Sequence, residues 1–206
     1  YTDTLKILQK FGAGVEFFPQ GDEGDLKRLG ELLQLEELAG IFCEVPSNPL
    51  LQTPDLLALA QLAHRKGVPV VVDDTIGTSF NVDVLSHADL VATSLTKAIS
   101  GEGDVMAGEQ TCCSSLTDLA QFLRKPAGIY ARDLEFLEKN SRDFPERMSV
   151  CNANALALAR QLSTHPAVEA VWYPGIEPSP AYETLRKPRG GYGAVLSFLP
   201  RNAREN

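Results

Sequence analysis

The chain has 206 residues, 44% of them hydrophobic and 22% charged, which is enough apolar content for a core and excludes disorder as the main state. Lys and Arg number 19 against 27 Asp and Glu, and this net charge of −8 without a basic cluster argues against a nucleic-acid partner. No apolar run approaches the ~20 residues that cross a bilayer, and the N-terminus lacks a signal-peptide pattern.

The chain opens at Tyr1 rather than Met and stops soon after the strand-like run 194–198. Both ends are therefore expected to be cut, the chain being a piece of a longer protein. Residues 14–18 are predicted as a strand, and 25–35 as a helix with Leu26, Leu29, Leu32 and Leu33 on one face. Residues 40–44 form the next predicted strand, broken by Pro46 and Pro49. Thr53 is expected to cap a helix over 56–64, with Pro54 at its first position. The β-branched run 68–73 predicts a strand buried on both faces, as in a parallel sheet. Further strands are predicted at 89–93 and 105–113. The alternation argues for an α/β layered fold.

Beyond Ser114 the texture turns helical to residue 165, with an Ala- and Leu-rich stretch from Arg147 to Leu162. Residues 167–173 restart β-structure, and a turn-rich loop follows. A boundary near 145–150 is expected, dividing a large domain, 1–147, from the beginning of a small α+β domain, 148–206. Cys43, Cys112, Cys113 and Cys151 show neither CxxC spacing nor a paired framework, and His64, His87 and His165 are scattered. A zinc site is not expected, and a reduced, cytoplasmic setting is.

Three features fall at predicted strand ends along one sheet edge, where α/β folds build their sites. They are the Pro-stiffened loop holding Asn48, Asp73 with Asp74 and Thr75 after it, and Ser94-Leu95-Thr96-Lys97 before a glycine-containing stretch. Each has a bland reading, as a turn residue, a strand-end cap or a solvent-exposed lysine. Together they describe the needs of pyridoxal phosphate. Lys97 can form a Schiff base with an aldehyde cofactor. Asp73 can keep a proton on the ring nitrogen, Ser94 and Thr96 can donate to the phosphate, and Tyr1 is an aromatic partner for the ring. The other lysines lie in helices or loops with no hydroxyl pair alongside. A dinucleotide-binding loop at Gly101-Glu102-Gly103 lacks the third glycine.

EVPSNPLLQTPDLLALAQLAHRKGVPVVVDDTIGTS and ADLVATSLTKAISGEGDVMAG resemble the transsulfuration, or Cys/Met metabolism, family of pyridoxal-phosphate enzymes. NSRDFPERM, NANALALARQLSTHPAVEAVWYPG and GGYGAVLSF are most similar to its fungal cystathionine γ-synthases. The resemblance implies a fold type I, aminotransferase-like large domain, truncated at its N-terminus, with a mainly parallel sheet of the seven-stranded type, cut short at its start and sandwiched by helices. It implies Lys97 as the Schiff-base lysine and proton carrier, Asp73 on the pyridine nitrogen, and Ser94 and Thr96 on the phosphate. Asn48 is then near the ring hydroxyl, and Tyr1 stacks on the ring.

The departures are YTDT in place of the family's YGGT, and Asp74 in place of its usual Asn. A charged Asp74 near the ring would raise the pKa of Asp73, so Asp74 is expected to point away. The family's phosphate-binding arginine from a neighbouring subunit and its substrate-carboxylate arginine both fall outside Tyr1 to Asn206, so this segment alone is expected to be inactive. The implied reaction is γ-substitution of an O-acyl-L-homoserine by cysteine, in a homodimer or homotetramer acting on amino-acid substrates. A cystathionine lyase, a sulfhydrylase, a secondary-metabolic γ-substitution enzyme and an inert scaffold remain open.

Overall fold

The computed structural model describes residues 2–112, 129–177 and 179–203. Tyr1, Cys113 and part of the predicted helical region therefore lie outside the described residues. The first elements are two helices, α1 (Thr2–Phe11), which buries no residue, and α2 (Glu23–Leu35), which buries Leu29 and Leu33. Asp22 starts α2 by accepting from the Asp25 N–H at 2.9 Å. Asp25 in turn accepts from the N–H groups of Gln20 and Gly21, at 2.8 and 2.9 Å. Donors left over at a helix N-terminus are thus satisfied two residues earlier than the predicted start.

Residues 14–18, predicted as a strand, form none. A strand needs a neighbour for its N–H and C=O groups, and Val15 and Phe17 lie exposed with no strand beside them among the described residues. Phe18 alone reaches the core edge, its ring covered by the Arg28 guanidinium at 5.1 Å.

The main sheet contains β1 (Ile41–Glu44), β2 (Val70–Asp73), β3 (Leu90–Ser94) and β4 (Gly108–Cys112), in that spatial order. The first three are parallel and β4 runs antiparallel to β3. Among the described residues the sheet has four strands, three of them parallel, in keeping with the mainly parallel sheet expected. Helix α3 (Leu56–His64) makes the β1–β2 crossover. Its cap is Asp55, which accepts from the Ala58 N–H at 3.0 Å, and not Thr53 as predicted. Thr53 Oγ1 is buried and without a partner. On β2, Val70 and Val72 are fully buried whereas Val71 and Asp73 are half-buried, so one face rather than both is sealed.

The core under this face joins Leu29 and Leu33 of α2 and Leu56, Leu59 and Ala63 of α3 to Val70, Val72 and Val91 of the sheet. Each fully buried aliphatic side chain of this kind stabilises by about 1.5–3 kcal/mol. Helix α4 (Thr78–Asn81) is a single turn after β2, α5 is Ala131–Asn140, and α6 (Phe144–Ser163) continues without a break through residues 147 and 148. The C-terminal part adds β5 (Val168–Trp172), α7 (Pro180–Leu185) and β6 (Ser197–Pro200). β5 and β6 form an antiparallel pair with a bulge between Val168 and Ala170. Tyr182 and Leu185 of α7 enter the same core as the sheet.

Candidate active site

Parallel register brings the predicted residues to one edge. Glu44 pairs with Asp73 and Asp73 with Ala92, so the carboxyl ends of β1, β2 and β3 lie side by side. Ser94 closes β3 two residues beyond Ala92. Alternation along a strand puts Asp73 on the half-buried face with Ala92 and Ser94, and the next residue, Asp74, on the sealed face.

The structure places Asp74 where the sequence argument wanted it. Asp74 is buried, and its carboxyl accepts a very short hydrogen bond from Thr93 Oγ1. Burial pushes its pKa above the usual carboxylate range, and the charges of Asp73 and Glu109 push in the same direction. The Thr93 hydrogen bond opposes them. Sequence reasoning did not anticipate Thr93 as the partner; the only available signal was a hydroxyl on the inward position of a predicted strand.

Asp73 Oδ1 accepts from the Thr75 N–H at 2.9 Å, and Thr75 Oγ1 accepts from the Ser94 N–H at 2.9 Å. One residue, Thr75, thus ties the ends of β2 and β3 together between the carboxylate and Ser94. No hydrogen bond within the described residues engages Asp73 Oδ2, Ser94 Oγ or Lys97 Nζ. Thr96 differs. Its hydroxyl donates to the Ala107 carbonyl at 3.2 Å and accepts from the Ala107 N–H at 3.0 Å, closing the segment after β3 onto the approach to β4. To donate to a phosphate, Thr96 would have to release that carbonyl.

The Asn48 loop contains cis peptides at Val45-Pro46 and Asn48-Pro49. Ser47 organises it: its N–H donates to the Gln52 carbonyl at 2.8 Å, and its Oγ accepts from the Gln52 N–H at 3.1 Å. The Asn48 N–H donates to Glu44 Oε2 at 3.0 Å, while the side chain itself is exposed. Tyr1 lies outside the described residues.

Lys97 sits in a π-helical segment, Leu95–Ser100, and is exposed. The helix breaks at the lysine itself, with φ −77° and ψ −108°. Gly101, at φ 79°, ends the segment, and its N–H donates to the Lys97 carbonyl at 2.8 Å. Arg147, which the sequence argument did not single out, reaches this segment from α6. Its guanidinium donates to the carbonyls of Ala98 at 2.6 Å and Ile99 at 3.1 Å.

The donor set suits pyridoxal phosphate: an amine, a carboxylate with one oxygen unengaged and a hydroxyl, gathered at the carboxyl ends of parallel strands. By contrast, the described residues hold no group of His, Cys, Asp and Glu that could bind a metal. Burial and the neighbouring Glu44 push the Cys43 thiol pKa up to about 12, which disfavours the reactive thiolate.

A mainly parallel α/β sheet with helices packed on it is the fold of a fold type I pyridoxal-phosphate protein. Residues 2–206 match the family described as Cys/Met metabolism PLP-dependent enzyme, and the chain belongs to that family. It is 42% identical over 208 residues to a cystathionine gamma-synthase of Neurospora crassa, covering 97% of this chain and 33% of that protein. It is 37% identical over 230 residues to the alanine racemase ungC of Aspergillus violaceofuscus, covering 96% of this chain and 39% of that protein. Among solved structures, apo CalE6, a methionine gamma lyase from Micromonospora echinospora, superposes with a TM-score of 0.83 at 27% identity, covering 96% of this chain and 54% of that one. The chain spans about a third of the length of these curated relatives.

Proposed function

We propose that the whole protein catalyses γ-substitution on an O-acyl-L-homoserine, with cysteine as the incoming thiol, to give cystathionine. The observation that carries this reading is the grouping of Asp73, Ser94 and Lys97 at adjacent strand ends, together with the 42% identity to a cystathionine gamma-synthase. The proposed partners are amino-acid substrates and further copies of the same chain, and the proposed setting is the cytoplasm. No helix among the described residues is long and apolar enough to cross a membrane. We also read 1–147 as the cofactor-binding domain and 148–206 as the beginning of a second.

Bound pyridoxal phosphate supplies an electron sink for the negative charge left when a substrate carbon loses its proton. In this reading the Lys97 amine would hold the cofactor through its aldehyde and, when free, would carry a proton between substrate carbons. The Asp73 carboxylate would accept from the protonated ring nitrogen. Ser94 Oγ and, once released from Ala107, Thr96 Oγ1 would donate to the phosphate. By the family resemblance, Asn48 would lie near the ring hydroxyl, and Tyr1 would be the residue that supplies an aromatic partner for the ring.

A second reading, elimination or racemisation, is favoured by relatives named for a gamma-lyase and for alanine racemase. The test is a product analysis of the whole protein, loaded with pyridoxal phosphate. It is given O-acetyl- or O-succinylhomoserine with cysteine, cystathionine alone, and L-alanine alone. Cystathionine formation as the fastest reaction supports the proposal. Ketoacid release or racemisation outrunning it would transfer the function to the second reading.

A further inference from the structure

We propose that Arg147 is a positioning residue for Lys97: by gripping the carbonyls that follow the lysine, it sets the direction in which the amine is presented at the strand ends. The role assigned to Lys97 is the one proposed above, and the inference rests on that reading.

The argument begins with the backbone. A helix leaves its last carbonyls without intrahelical donors, and a break inside the helix adds to the shortage. Here the break falls on Lys97. The Gly101 N–H satisfies the Lys97 carbonyl, and the carbonyls of Ala98 and Ile99 are taken by Arg147 Nη1 and Nη2, at 2.6 and 3.1 Å. A guanidinium suits this task because its donors are fixed in one plane, so two carbonyls bound to it are fixed relative to each other. The positive charge also lies at the negative end of the segment, where it is favourable.

The arginine is itself held. Nη2 also donates to the Asn140 carbonyl at 3.0 Å, and Nε and Nη2 both reach Asp143 Oδ1, at 3.3 and 3.2 Å. The Asn140 side chain completes the clamp by donating to Ser100 Oγ at 3.0 Å and Asp104 Oδ1 at 2.9 Å. The junction of α5 and α6 thus holds both ends of the stretch from Ala98 to Asp104. Gly101 admits the guanidinium, since a Cβ there would collide with Arg147 Nη1. Three residues between Lys97 and Gly101 and one arginine 50 positions away decide the lysine's local backbone together. A lysine whose backbone is free to rotate loses the near-attack geometry that proton transfer requires.

The test uses the whole protein with Arg147→Gln, Arg147→Lys and Gly101→Ala, and Arg142→Gln as the comparison. Arg142 is an exposed arginine whose ion-pair partner among the described residues is Glu138. In Arg147→Gln, kcat per bound cofactor should fall about 10- to 100-fold while KM stays within about 2-fold. The pH midpoint of the bound cofactor's visible absorption should move, and Arg142→Gln should match the parent in both. Arg147→Lys, which keeps the charge and loses the fork, should lie between. Without cofactor, the Gly101 amide should exchange with deuterium about 10-fold faster in Arg147→Gln. An unchanged midpoint and unchanged Gly101 exchange would overturn the proposal, as would lower melting and loading with parental kcat per loaded site. Should Arg147→Gln not fold, Gly101→Ala and Arg147→Lys carry the same readouts. If the parent binds the cofactor and the midpoint moves but no γ-substitution occurs, the reaction reading fails and the clamp stands.

Discussion

Asp74 is a carboxyl buried against a neutral hydroxyl, and its raised pKa has a consequence for stability. A folded state that holds a proton more tightly than the unfolded chain is favoured at low pH. That contribution is fully present below the unfolded carboxylate value, near 4, and is lost as pH rises through the folded value. Asp74→Asn keeps an acceptor for Thr93 and removes the ionisation. Its stability relative to the parent should therefore grow with pH, by about 1 kcal/mol or 2–4 °C in Tm, and vanish near pH 4. Thermal melts of both proteins at pH 4, 6 and 8 check this, and a pH-independent offset would refute it. Asp73 differs because its carboxylate faces the strand-end site. Asp73→Asn should lower kcat by several kcal/mol of barrier while weakening cofactor binding far less, whereas Asp74→Asn should be mild in rate. Steady-state kinetics with a cofactor titration separates the two, and equal losses would mean that both carboxylates act together. Lys97→Ala should abolish the covalent cofactor, so borohydride reduction and mass spectrometry should find no adduct.

Several elements meet at one amide, Asn81. Its Oδ1 accepts from Asn152 Nδ2 on α6 and from the Gly191 N–H, both at 2.8 Å, while its Nδ2 donates to the Gly77 carbonyl at 2.9 Å. Asn152 Oδ1 then accepts from the Gly193 N–H at 2.9 Å. The turn after β2, the long helix and the 190–193 loop are thereby locked, with backbones so close that a Cβ at Gly190 would fall inside contact distance of the Asn81 carbonyl. Gly190→Ala should cost about 1–3 kcal/mol through backbone displacement. Asn81→Ala should cost as much or more, since it strands the buried Gly77 carbonyl, at about 1–3 kcal/mol, and two half-buried donors besides. Urea unfolding measures both; a neutral Gly190→Ala would show that the loop yields freely. Periodicity identified the elements but not this junction, because a side-chain amide shared among three segments leaves no periodic trace. The same limit explains the failure at residues 14–18, where local β-propensity had no partner strand to act on.

For the molecule as a whole, Tyr182 connects what the sequence divides. Its ring is fully buried with Val70 and Val72, more than a hundred positions earlier, and its hydroxyl donates to the Gly191 carbonyl at 2.9 Å. Burial pushes its phenol pKa well up, so it stays a neutral donor across the working pH range. Tyr182→Ala should destabilise by about 3–5 kcal/mol. Because the core is shared, amide exchange should quicken in β2 as well as around α7. Faster exchange confined to 180–193 would show that the C-terminal part opens independently of the sheet.

By itself the sequence determined the alternation of strands and helices and the placing of Asp73, Ser94 and Lys97 at strand ends. Those depend on short-range patterns: a β-branched run, a helical spacing of leucines, a lysine soon after a strand. Even Asp74 was legible in direction, since successive residues on a strand face opposite ways. Only the tertiary structure decided that β4 runs antiparallel, that Thr93 receives Asp74, that Thr96 is engaged by Ala107, and that Arg147 closes on the carbonyls behind Lys97. The physical reason is that each of these is a contact between residues far apart in the chain, and an orphaned carbonyl or buried carboxyl finds its partner only when packing brings one within reach.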